Sequence, residues 1–224
     1  MNAAIYYNNA GICYLEHGNH DDALRMLKEA AQRMYSVTVA RKASMDTTDE
    51  DDSLDEPTMD SDMAPKSHDI PRRSLISPAA DNSSFMCSIP IFLSASSTTE
   101  SCTEESAIIL YNMALTYHLN SLSGNPISKA LENAITLFGM AYNLCLQVHQ
   151  TERTSRVIMS SLNNMGLLHH DQGNYALSHQ YFEDLSFYIS SLNEPTERSV
   201  AMERNGFLLN AMVLRNESQG AAAA

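Results

Sequence analysis

Residues 8–19 read NNAGICYLEHGN, and residues 163–174 read NNMGLLHHDQGN. The two stretches share Asn-Asn at the start, a glycine three residues in, and Gly-Asn at the end. Residues 1–17 read as a helix that Gly18-Asn19 breaks. Asp21 and Asp22 then open a second helix, where acidic side chains favour the positive end of the helix dipole. Ala23, Leu27, Ala30 and Met34 fall on one face of it at helical spacing. The first stretch therefore belongs to a helix–turn–helix hairpin. The second predicts another, over roughly 151–171 and 174–192.

A third hairpin lies between them in the chain. Order is expected to begin near Ser101-Cys-Thr-Glu104, which has capping-box form. Ile108, Tyr111, Leu115 and Leu119 give its first helix one apolar face. LSGNPISK (122–129) reads as a turn in which Asn125 caps a helix that starts at Pro126 and runs to about Gln150. NEPTE opens a closing helix from Pro195 to near Arg215, and residues 216–224 read as a flexible tail.

Composition separates these parts. Between Asp46 and Asp62 there are nine acidic residues and no basic one, so most of the net charge of −13 belongs to one internal segment. Like charges and little apolar area predict that residues 44–100 are disordered. Two islands interrupt the segment: PRRSLISP (71–78) and SIPIFL (88–93). In the first, Arg72-Arg73 precede Ser74 and Ser77 precedes Pro78. Both serines are candidate phosphorylation sites, and a phosphate there would add about −1.5 to −2 charges. In the second, Ile89, Ile91, Phe92 and Leu93 form an apolar cluster that Pro90 biases towards an extended chain. Ile89 to Leu93 is a candidate ligand, in cis, for the protein's own helices.

A frame repeated on helical hairpins is the signature of a helical solenoid. The first helix of each hairpin must approach its neighbour closely, which calls for the small residues Gly11, Ala114 and Gly166. The second helix then carries small, bulky and small side chains: Ala23, Leu27, Ala30, and again Ala134, Phe138, Ala141. Ser178, Phe182 and Leu185 are a looser version. This set resembles the tetratricopeptide repeat family, and the hairpin over 151–192 resembles the longer repeats of the kinesin-light-chain type. The middle hairpin departs from the family in lacking a turn glycine, and no unit ends in the usual proline. The first hairpin begins at residue 2, and from the family pattern a missing upstream helix or a truncated gene model is expected.

The expected fold is therefore all-α: a short helical-hairpin solenoid of three hairpins and a closing helix. Its parts are residues 1–43, an insert over 44–100, residues 101–215 and the tail. The resemblance implies a concave groove lined by the first helices. Carried onto this chain, its residues are Ile5, Asn8, Ile12 and Leu15, then Tyr111, Leu115 and His118, then Asn163, Leu167 and His170, with Phe207 from the last helix. Almost no Lys or Arg stands among them, so a clamp for an acidic peptide terminus is not expected, and an apolar or amphipathic segment is.

Chemistry is sparse. His17 and His20 flank one turn and His169-His170 precede another, but no cysteine partner or His-Glu-x-x-His pattern accompanies them, so no metal is expected. No phosphate-binding glycine loop and no nucleophile elbow occur, so no cofactor and no catalytic residue is assigned. No basic face suggests nucleic acid or an anionic membrane, and no apolar run approaches the ~20 residues that span a bilayer. The N-terminus lacks the pattern of a signal peptide. Cys13, Cys87, Cys102 and Cys145 share no pairing spacing, which favours a reducing compartment, cytoplasmic or nuclear. The expected function is a non-enzymatic protein-interaction module or adaptor with a protein or peptide partner. The alternatives are a regulatory subunit switched by phosphorylation of the insert and an enzyme of an unrecognised helical class.

Overall fold

The computed structural model describes residues 2–45, 89–94, 101–123, 127, 129–192 and 203–213. These form seven helices and no strand: α1 (Asn2–Glu16), α2 (His20–Met45), α3 (Ser101–Ser121), α4 (Ala130–Cys145), α5 (Glu152–Asp171), α6 (Tyr175–Ser191) and α7 (203–213). Consecutive helices pack on each other from α1·α2 through α5·α6. In addition α1 touches α3 and α3 touches α5, so the first helices of the three hairpins stand side by side. Ser74, Ser77 and the tail lie outside the described residues.

The ends of the repeated frame close in the same way twice. Gly18 N–H donates to Leu15 O at 2.9 Å and Asn19 N–H to Tyr14 O at 3.0 Å. Gly173 N–H donates to His170 O at 2.9 Å and Asn174 N–H to His169 O at 2.8 Å. This is a Schellman stop, which needs a left-handed residue, and the two glycines have φ of 72° and 74°. Asn19 goes on to cap α2, its Oδ1 accepting from Asp22 N–H at 3.3 Å.

The middle of the frame serves close approach. A Cβ on Gly166 would lie 2.8 Å from Phe182 Cζ, and one on Gly11 would lie 2.7 Å from Leu27 Cγ. The two kinds of glycine therefore predict different costs. Gly166→Val forces a branched side chain into a fully buried ring and lowers unfolding free energy by about 2–3 kcal/mol. Gly18→Ala meets nothing within 4 Å and suffers only the left-handed backbone, about 1 kcal/mol. Urea unfolding of both variants checks the order.

Three sequence expectations are corrected. The helix expected from Pro126 to Gln150 is α4, and it spans only Ala130–Cys145. Asn120 Oδ1 accepts from Ile127 N–H at 2.7 Å, and half-buried Ile127 packs on the core, which draws the chain back along α3 before α4 starts. Thr151 Oγ1, just before α5, donates to Glu104 Oε1 in the first turn of α3 at 3.1 Å. Thr151 itself forms a capping box with Thr154. The first hairpin extends to Met45, and residues 89–94 of the expected disordered insert are packed against the helices. Of the closing helix expected over 195–215, residues 203–213 are described. The bidentate pair of Arg156 with Glu203, at 2.9 and 3.0 Å, ties it to α5. Asn210 Nδ2 donating to Asn163 Oδ1 at 2.6 Å adds a second tie.

Candidate peptide groove

The side-by-side helices α1 and α3 present Asn-bearing positions to one strip of chain. Asn9 and Asn112 occupy equivalent places in the frame: NNAG (8–11) in α1 and YNMA (111–114) in α3. Asn164, in NNMG (163–166), is the equivalent in α5. Residues 89–94 run past the first two. Asn112 Oδ1 accepts from Ile91 N–H at 2.9 Å and its Nδ2 donates to Ile91 O at 2.8 Å. Asn9 does the same to Leu93, at 2.9 Å in both directions. A side-chain amide carries one acceptor and a donor group in the arrangement of a backbone amide, so each asparagine satisfies one residue of the strip as a neighbouring strand would.

The rungs fall two residues apart, and burial alternates with them. Ile91 and Leu93 are 6% and 4% exposed while Phe92 between them is 39% exposed. Period two is that of an extended chain. Further contacts hold the strip and the helices beneath it. Asn112 Nδ2 also donates to Asn8 Oδ1 at 3.0 Å, which joins α3 to α1. Tyr111 Oη donates to Ile89 O at 3.1 Å, and Arg153 Nη2 donates to Ser94 Oγ at 2.6 Å. The rungs are neutral amides, so they read the backbone whatever its charge. Aliphatic side chains at alternate positions supply the apolar contact.

The residues expected to line the groove are placed as follows. Asn8 and Tyr111 touch the strip, Asn8 Nδ2 lying 3.4 Å from Ile91 O. Ile12, Leu115 and Phe207 are wholly buried, Leu15 and Leu167 nearly so, and Ile5 is half-buried. His118 stands edge-on to Phe138 of α4, with ring centroids 6.4 Å apart. Asn163 bonds to α7 through Asn210. His170 packs edge-on against Tyr175 at the head of α6. Asn9, Asn112 and Arg153 were not anticipated. The repeated second asparagine of the frame, with Asn112 in register, is the signal that marks the first two.

Burial pushes His118 down to about 4 and Cys145 up to about 12, the latter with a smaller push from Glu104. Among the described residues no three His, Cys, Asp or Glu side chains stand together as a metal site would need, and no helix is long and apolar enough to cross a membrane. Comparison of the chain with models of known protein families, with curated proteins and with solved structures returned no match.

Proposed function

We propose that the chain is a non-enzymatic protein-interaction module, a short solenoid of tetratricopeptide-like hairpins whose first helices bind an extended peptide. One observation carries the reading: Asn9 and Asn112 each exchange both backbone hydrogen bonds with alternate residues of an extended strip. Recognition of this kind takes affinity from the main chain and selectivity from pockets for alternate side chains. The partner is a protein segment with aliphatic residues at every second position. Buried thiols at Cys102 and Cys145 suit the reducing cytoplasm or nucleus.

The test frees the groove with Ile91→Ser and Leu93→Ser and pans a random peptide library against the variant. Peptides with alternating aliphatic residues are expected to be enriched. Adding Asn112→Ala removes two hydrogen bonds at ~0.5–1.5 kcal/mol each and weakens the selected peptides about tenfold to hundredfold. Absence of enrichment, or affinities indifferent to Asn9 and Asn112, would show that the strip's contacts are not a recognition site.

A further inference from the structure

We infer that residues 89–94 are an internal competitor for the groove, and that the partner displacing them is an extended aliphatic segment ending in an acidic side chain. The inference rests on the reading above and adds to it what fills the site at rest and what empties it. Three features argue that the strip is seated rather than built in. The helices also pack on one another without it, α1 on α2, α2 on α3 and α1 on α3, although Ile91 and Leu93 join their buried cluster. Its polar anchors are mainly side-chain amides, Asn9 and Asn112, which an incoming main chain satisfies equally well. Its outward residue Phe92 is 39% exposed, so a solvent-facing aromatic lies over the site.

The covalent connection explains how a short strip keeps the groove closed. Only residues 95–100 join Ser94 to the start of α3 at Ser101, so the strip cannot diffuse away. A short tether holds a segment at an effective concentration of about 1 mM. A strip whose free-peptide Kd is about 100 μM then closes the groove about ten to one, and a competitor binds the native chain about tenfold more weakly than the open one. The same attachment makes the opposite hand of the exchange, seating in a second copy, the weaker alternative at low concentration.

The acidic preference comes from the far end of the strip. Arg153 Nη2 reaches Ser94 Oγ at 2.6 Å, a hydroxyl where a carboxylate would accept a charge-assisted bond. A partner carrying Asp or Glu at this place gains over the internal strip, which offers only a serine. At an exposed position that gain is about twofold to fivefold in affinity.

The experiment uses the free peptide of residues 88–96 and the whole chain. By isothermal titration the peptide is expected to bind the Ile91→Ser, Leu93→Ser variant about tenfold more tightly than the native chain. A peptide with Ser94→Glu should bind that variant twofold to fivefold more tightly again, and Arg153→Ala should remove the difference. Hydrogen exchange on the native chain supplies an arm that needs no variant. Excess peptide should expose the Ile91 and Leu93 amides while those of α3 stay protected. Ile91 and Leu93 amides that remain protected at saturating peptide, or equal affinity for native and emptied chains, would overturn the internal competitor while leaving the peptide-binding module intact. No binding of any peptide to a folded emptied variant would overturn the module itself. An emptied variant that cannot fold would show that the strip is a permanent part of the core. Concentration-dependent dimers in which the amides are protected would assign the strip to a second copy. Equal affinity of the serine and glutamate peptides would overturn the acidic preference.

Discussion

Phe182→Ala is expected to lower the unfolding free energy by about 3–5 kcal/mol, the range for removing a fully buried phenylalanine. Phe182 is wholly buried on α6, and its ring ends against Gly166 of α5. The closeness that makes Gly166 necessary also makes the ring irreplaceable. With the ring gone, α5 offers no side chain at Gly166 to fill the space, so the cavity term adds to the lost transfer energy. Phe187 on the same helix is 79% exposed, and Phe187→Ala should stay within about 0.5 kcal/mol. Denaturant unfolding followed by circular dichroism measures both. A Phe182→Ala cost below about 1 kcal/mol would mean that the α5–α6 face is not packed as described.

Acid should weaken the fold through His118. The side chain is buried on α3, its Nδ1 has no hydrogen-bond partner, and burial lowers its pKa from 6.5 to about 4. Because the folded pKa lies below the unfolded one, the unfolded chain binds more protons between these values. This contribution to stability is therefore fully present above pH 6.5 and is lost as the pH falls towards 4, by about 3 kcal/mol in all. His169, which burial also lowers, acts in the same direction. His118→Asn isolates the first group. The stability difference between native chain and variant should shrink as pH drops from 7.5 to 4.5. A difference that does not change with pH would mean that His118 takes up its proton in the folded state.

The hairpins were readable from sequence because their causes are local. A Schellman stop needs a left-handed residue at one position, and only glycine supplies it cheaply, so Gly18 and Gly173 announce their turns. Small and bulky residues at helical spacing likewise announce the faces that meet, and Gly11 with Leu27 and Gly166 with Phe182 do meet. All-helical packing of neighbours followed from these patterns.

The start of α4 and the peptide rungs were decided by the tertiary structure. Asn125-Pro126 is a strong local signal for a helix start, but the Asn120 bond to Ile127 N–H and the packing of Ile127 outweigh it, and the helix begins at Ala130. The repeated asparagine marks the rung positions, but nothing local says what they bond to. Asn9 finds its partner 84 residues along the chain and Asn112 finds its own 21 residues back. An asparagine on a helix face has the same helical period and the same polarity whether it meets water or a passing main chain. Only the three-dimensional approach of Ile91 and Leu93 distinguishes the two, because a hydrogen bond depends on where its second partner lies, and the sequence pattern records the first.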